Sequence, residues 1–407
     1  MEQTSSATVA GSADLGLSVK RLDVIVKVAE RCNIACRYCY YFNDAVNNPL
    51  TQPALMSYDT WGELIAFLKT GVREVGVEDL KIIFHGGEPT LVSKKTIGLM
   101  CQMAIDELAA DVSLEFSLQT NATLLSPAWI SLIKKFQIAV GVSLDGPKEY
   151  NDKNRLDHRG RSTYEATRSG ISLLMAGADR GTLTRPGALF VVDPDTDPKL
   201  IFEHLVKELG FEAFDALLPD HNEALDTSRY GKFLCGLFDA WVEHGNEKIY
   251  VRTFRSFFDR LAGRGSYQFP LDPEKDDFLA ISVTSSGRLR PDDIVSDIRW
   301  GDASIQSMSL AEFTKHPFYT DWRRDASKIP EECSDCCWSG FCRGGHPTHR
   351  FKNDGRSFDR KSSYCGALQE LYAHISAFML ENGYPLKRLV EQMDIDKTTV
   401  RDYSSNV

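Results

Sequence analysis

Along residues 22–28 the chain places Leu22, Val24, Val26 and Val28 at every second position, with Asp23, Ile25 and Lys27 between them. That alternation predicts a strand. Apolar strand-like runs recur at 80–84, 112–118, 138–143, 188–192 and 213–218. Helical patterns lie between them. Ser57 opens a predicted helix running to Val75. Ser126-Pro127 and Asp197-Pro198 each join an N-cap to a proline at the first helical position. Ser162 and Glu165 have capping-box spacing, and Gly210 closes the helix that Asp197 opens. Six strand–helix alternations predict a parallel sheet with right-handed crossovers. Because a full (β/α)8 barrel needs eight units, the expected fold is α/β, a partial (β/α)6 TIM-like barrel. Its active site belongs at the C-terminal ends of the strands.

The rhythm stops near residue 226. Residues 228–244 carry Phe233, Leu237, Phe238 and Trp241 at helical spacing, and a second helix is expected over 252–263. The segment 281–291 reads as strand, turn and strand around Ser286-Gly287, and another helix is expected at 366–382. The expected organisation is a disordered start (1–19), a barrel (20–226), a helical bridge (227–280), a cysteine-bearing C-terminal domain (281–382) and a polar tail (383–407).

Composition narrows the function. The 407 residues, 43% of them apolar, suffice for one large domain and a smaller one. A formal charge of −10 and the lack of a basic run argue against broad nucleic-acid binding. No stretch of about 18 apolar residues predicts a membrane helix, and residues 1–19 do not read as a signal peptide. Eight of the ten cysteines fall in two clusters, which in a large chain points to metal binding in a reducing, cytoplasmic compartment. Cys101 and Cys235, within apolar helical patterns, read as small buried hydrophobes.

The first cluster is Cys32-x3-Cys36-x2-Cys39, directly after the first strand. Three thiolates can reach three corners of a four-iron cube and leave the fourth iron open to a small molecule. Zinc with a distant fourth ligand is the alternative; placement at a strand's C-terminal end favours an active site. With Tyr38 before the last cysteine, the pattern resembles the signature of the radical SAM superfamily. The resemblance implies a [4Fe-4S] cluster whose open iron chelates S-adenosyl-L-methionine. One electron, from a donor such as flavodoxin or ferredoxin, then releases a 5′-deoxyadenosyl radical. His85-Gly86-Gly87-Glu88-Pro89 is similar to the family's GGEP motif, which holds the substrate ammonium. Gln119-Thr-Asn121 and Ser143-Leu-Asp145-Gly146 end the next two strands. The implied cofactor-binding set is Tyr38, Gly86, Gly87, Glu88, Gln119, Asn121, Ser143 on the ribose and Arg155 on the carboxylate. By themselves Arg155 also reads as a solvated loop arginine and Asp145-Gly146 as a turn.

The second cluster, Cys333-x2-Cys336-x5-Cys342 with Cys365 after 22 intervening residues, offers four thiolates. Alone, this set fits structural zinc as well as iron. It resembles the SPASM domain that follows radical SAM barrels in peptide-modifying enzymes. That domain's full pattern has seven cysteines and two auxiliary clusters. Here Asp292 and His346 stand where cysteines of the second set would be, which implies one auxiliary [4Fe-4S] cluster, with Cys337 a spare. The strings at 26–43, 216–220, 342–350 and 362–365 resemble maturases that form three-residue cyclophanes. The implied partner is a short ribosomal precursor peptide, in which a side-chain β-carbon loses hydrogen and bonds to an aromatic ring. A base is needed, and Asp220, His221 and Asp292 are the candidates. A maturase like those making formylglycine in sulfatases is the nearest alternative, and a non-catalytic peptide-binding scaffold the alternative of another class. About 20 residues precede the first strand, too few for a separate leader-binding module.

Overall fold

A computed structural model describes residues 19–43, 48–220, 227–264, 278–291, 293–295, 301–351 and 358–393. The strands are β1 (Arg21–Ala29), β2 (Ile34–Cys36), β3 (Asp79–Gly86), β4 (Ser113–Thr120), β5 (Ala139–Ser143), β6 (Arg155–Asp157), β7 (Gly187–Val191), β8 (Ala213–Leu217), β9 (Tyr250–Val251), β10 (Phe278–Val283) and β11 (Leu289–Arg290). The main helices are α1 (Tyr58–Val75), α2 (Lys94–Leu108), α3 (Pro127–Lys135), α4 (Lys148–Asn154), α5 (Tyr164–Asp179), α6 (Pro198–Glu203), α7 (Ser228–His244), α8 (Arg252–Leu261), α9 (Leu310–Lys315), α10 (Pro317–Ser327), α11 (Ser339–Cys342), α12 (Cys365–Glu381) and α13 (Leu386–Gln392).

One nine-stranded sheet runs β11-β10-β1-β3-β4-β5-β7-β8-β9. All neighbouring pairs are parallel except β10–β11. The sheet does not close on itself among the described residues, so the expected partial barrel is present. It reaches further along the chain than the alternation suggests: β9 pairs with β8 and β10 with β1. Strand β10 is the first half of the strand–turn–strand read at 281–291, turned by Gly287 at φ +86°. It belongs to the barrel sheet rather than to a separate unit.

Alternation in the strands sorts side chains between two layers. Leu22, Val24, Val26 and Val28 of β1 are fully buried in the helix-facing core with Trp61, Leu64 and Phe84. Asp23 and Ile25 face the barrel interior and line its cavity. Ser57 caps α1 by accepting from Thr60 N at 2.9 Å, and Asp197 caps α6 through Lys199 N at 2.8 Å. The capping box read at Ser162 does not form. Thr163 is the N-cap of α5, and Ser162 Oγ instead donates to Asp152 at 2.7 Å. Past residue 382 the chain is not wholly polar surface: α13 buries Leu389 and Val390. No helix among the described residues is long and apolar enough to cross a membrane.

The C-terminal elements pack onto the barrel through α7 and α12, where Phe238 meets Phe378 edge-on at 5.5 Å. Helix α1 meets α9 where Gly71 leaves room for Leu310; a Cβ on Gly71 would lie 2.4 Å from Leu310 Cβ. Gly71→Val is therefore expected to destabilise the protein by about 1–3 kcal/mol through overpacking. A lower thermal midpoint checks this; an unchanged midpoint would mean the two helices are not held at this spacing.

Candidate active site

The cysteine loop is fixed by two backbone clamps. Strand β2 carries Cys36 and pairs antiparallel with β6, register Cys36 to Arg155. On the other side, Gly87 N donates to Ala29 O at 2.7 Å and Glu88 N to Arg31 O at 2.9 Å. Glycine is required here by crowding. A Cβ on Gly86, whose φ is +127°, would sit 2.1 Å from Ala29 O, and one on Gly87 would sit 2.4 Å from Arg31 O. The close approach that the two glycines permit is to the cysteine loop itself.

Glu88 is 1% exposed, and both its oxygens are engaged. Oε1 accepts from Thr90 N at 2.9 Å, from the Thr90 hydroxyl and from Thr120 Oγ1 at 2.7 Å; Oε2 accepts from Asn121 N at 2.8 Å. Burial pushes its pKa up, and these donors oppose the shift. Asn121 in turn donates to Asn33 Oδ1 at 2.9 Å and to Cys32 Sγ at 3.9 Å. Glu88 and Asn121 thus tie the ends of β3 and β4 to the first cysteine.

Arg155 is not a solvated loop residue: it is 7% exposed and donates to Tyr38 Oη at 2.8 Å. Tyr38 donates to Asp145, at 2.7 Å to Oδ2. Asp145 is therefore the buried end of a three-residue chain rather than only a turn residue. Gln119 Nε2 donates to Ser143 Oγ at 2.9 Å across β4 and β5. Tyr38, Gly86, Gly87, Glu88, Gln119, Asn121, Ser143, Arg155 and the three loop cysteines all line one cavity of about 990 Å3 at the C-terminal ends of the strands. Burial raises the Cys32 thiol to about 12 and raises Cys36. Thiolates at this spot need a cation, which is the chemistry of a metal-binding donor set.

Asp220 lines the same cavity and pairs with His349, Nε2 to Oδ1, at 3.3 Å. The other two candidate bases, His221 and Asp292, lie outside the described residues. On the wall of the sheet the structure reveals a group that the sequence alone did not single out. Lys27, on the cavity-facing phase of β1, is 1% exposed. Its Nζ donates to Asp293 Oδ2 at 3.1 Å and Tyr40 Oη at 3.3 Å, and lies 3.3 Å from His85 Nδ1. Tyr40 donates to the same Asp293 oxygen at 2.9 Å. Burial and Lys27 hold His85 down to about 3, so its ring is neutral. Gly86 N donates to its Nδ1 at 2.8 Å, which places the ring proton on Nε2. Lys27 and its neighbours hold the Asp293 carboxyl below the usual range against its burial. The available signal was a lysine in phase with Asp23 and Ile25.

The second set of cysteines lies on short elements of the C-terminal region. Cys333 ends a 3-10 turn, Cys342 ends α11 and Cys365 opens α12. Cys336 N donates to Cys333 O at 3.2 Å. Arg350, fully buried, organises the surrounding loops by donating to Ala326 O at 2.8 Å and Lys328 O at 2.7 Å. Cys337 is exposed. No three His, Cys, Asp or Glu side chains among the described residues converge closely enough for a single metal ion. A zinc ion needs its sulfurs about 2.3 Å from one centre, whereas a four-iron cube spreads its thiolates over separate irons. Three thiols on the loop that enters the cavity, and four in the C-terminal region, are donors of the kind that iron–sulfur clusters take. His346, which stands where a cysteine of the missing set would be, lines the main cavity, with Nδ1 2.8 Å from Thr348 Oγ1.

Removing one partner of a buried ion pair leaves the other uncompensated, so Lys27→Met should cost about 3–5 kcal/mol near neutral pH. Because the Asp293 pKa is depressed in the folded protein, the pair stabilises above the ordinary carboxylate pKa of about 4 and loses that effect as pH falls through the folded value. The gap in thermal midpoint between wild type and variant should narrow as the pH is lowered; a gap constant with pH would contradict the pairing.

The profile of the radical SAM superfamily matches residues 26–182, the stretch from β1 through α5. The chain is 26% identical to the cysteine-type anaerobic sulfatase-maturating enzyme of Clostridium perfringens over 369 residues, 87% of this chain and 96% of that one. It is 34% identical over 371 residues to an uncharacterised protein of Archaeoglobus fulgidus, covering 86% of this chain and 81% of that one. Among solved structures, anSMEcpe with bound AdoMet and Cp18Cys peptide aligns with TM-score 0.75 at 22% identity, over 89% of this chain and 98% of that one. Streptococcus suis SuiB bound to precursor peptide SuiA aligns with TM-score 0.54 at 14% identity, over 84% and 75%. These two show the fold. Together with the cysteine loop and the cavity it enters, the matches establish that the chain belongs to the radical SAM superfamily and is an enzyme that uses a [4Fe-4S] cluster and S-adenosylmethionine.

Proposed function

We propose that the enzyme modifies a ribosomal precursor peptide, crosslinking a side-chain β-carbon to an aromatic ring to form a cyclophane. The observation that carries this is the cavity. At about 990 Å3 it lies at the upper end of the range for small-ligand pockets, leaving room for a peptide segment beside the cofactor. Both the cysteine loop and His346, Thr348 and His349 of the C-terminal region line it. Supporting the peptide reading, anSMEcpe and SuiB are solved with peptides bound.

In this reading Cys32, Cys36 and Cys39 hold the cluster that binds S-adenosylmethionine, and Cys333, Cys336, Cys342 and Cys365 hold one auxiliary cluster. When bound, these groups supply a 5′-deoxyadenosyl radical and a one-electron acceptor. The chain's own residues do the rest. The Arg155–Tyr38–Asp145 chain and the Gln119–Ser143 pair orient the cofactor. Cofactor and auxiliary cluster would together take up the hydrogen atom and the electron that the new bond releases, and the part left to this chain is to take the ring proton on a carboxylate. Asp293, held ionised by Lys27, and Asp220, 3.3 Å from His349, are the carboxyl groups that the cavity wall presents for that proton. An external one-electron donor, such as flavodoxin or ferredoxin, starts each turnover.

A second reading is oxidation of a single residue, as in the sulfatase-maturating relatives; the alignment over 87% of this chain favours it. A short peptide encoded beside the gene, incubated anaerobically with enzyme, S-adenosylmethionine and reductant, separates the two. The crosslink reading predicts a product two hydrogens lighter that gives no backbone fragments inside the ring in tandem mass spectrometry. A product that a hydrazide captures as an aldehyde, with uninterrupted fragments, would establish the second reading instead.

A further inference from the structure

Helix α12 supplies more than a cysteine. Cys365 opens it, and Gln369 and Tyr372 follow four and seven residues later, on the same face. Gln369 Nε2 donates to Cys336 Sγ at 3.3 Å, and Tyr372 Oη donates to Cys342 Sγ at 3.9 Å. One helix face therefore presents one thiolate and two donors aimed at two other sulfurs of the same set. Tyr372 is 2% exposed and held by rings: Phe341 at 5.4 Å and Trp338 at 5.7 Å. It also lines the large cavity.

We propose that α12 sets the reduction potential of the auxiliary cluster, with Gln369 and Tyr372 as positioning residues that hold it high enough to accept an electron from the peptide. The inference rests on Cys333, Cys336, Cys342 and Cys365 being its ligands. The physical basis is charge. Taking up one electron adds a negative charge, much of it on the sulfurs. A donor bonded to a ligand sulfur therefore stabilises the reduced form more than the oxidised form, and the potential rises. Water does not compete at the buried phenol, so Tyr372 has the larger effect. Gln369 is exposed, and solvent screens its contribution.

The test uses the full chain with Cys32→Ala, Cys36→Ala and Cys39→Ala, which leaves the auxiliary cluster as the sole iron–sulfur group. After anaerobic reconstitution it should hold about four irons and give a paramagnetic signal on reduction; a protein without iron would overturn the ligand assignment and this inference with it. Tyr372→Phe and Gln369→Leu are then added separately, and the signal is followed during titration with titanium(III) citrate. Tyr372→Phe should lower the midpoint by about 59 mV, a tenfold change in a one-electron equilibrium. Gln369→Leu should lower it by less. Gln369 lies on the surface, so its variant carries the test if Tyr372→Phe fails to take up iron. Midpoints equal to the parent's, with iron retained, would overturn the proposal and reduce both contacts to packing.

Discussion

The buried carboxylate of Glu88 is the point on which the active end of the sheet depends. A carboxylate taken out of water is costly unless its oxygens are satisfied, and here the chain's own groups satisfy both. Thr90, Thr120 and the backbone of Asn121 all point at it. Those donors come from the ends of β3 and β4, so the charge fixes the two strand ends against each other. Glu88 N also binds Arg31 O, and Asn121 reaches Cys32. The cysteine loop is thereby held to the sheet through one satisfied charge. Two glycines with no space for a Cβ let the backbones meet.

Much of this was legible in the chain itself. Period-two alternation located the first strand and apolar runs the other five central strands, because each must bury apolar side chains against helices. The cysteine spacing and the Gly-Gly-Glu string marked the active end. What alternation could not tell is what the other face meets. Asp23, Ile25 and Lys27 form the other side of the strand, and in the curved sheet Asp23 and Ile25 line an interior cavity while Lys27 is buried at its end. A lysine there is buried and must find a carboxylate, and Asp293 supplies it from 266 positions away. Pairing over that separation has no local signature.

The same limit explains the other differences. Strands β9 and β10 are short or follow a long interruption, so the rhythm in the sequence ends while the sheet continues. Ser162 has the right spacing for a capping box, but Asp152 offers its hydroxyl a better partner. Arg155 was singled out by resemblance, while its local sequence fits a surface arginine equally well; the pairing of β6 with β2 turns it onto Tyr38. In each case a tertiary contact overrode a local preference. Within the C-terminal region, the cysteine spacing marked the donors, while the contacts of α12 with two of the sulfurs appear only when the helix is in place.

The central claim is that the loop holding Cys32, Cys36 and Cys39 starts radical chemistry. The direct measurement is 5′-deoxyadenosine released when anaerobically reconstituted enzyme meets S-adenosylmethionine and a strong reductant. Wild-type enzyme should release it, and Cys36→Ala should release none, because two thiolates do not hold a cluster with one open iron. Equal release by the two proteins, each confirmed folded, would contradict the account.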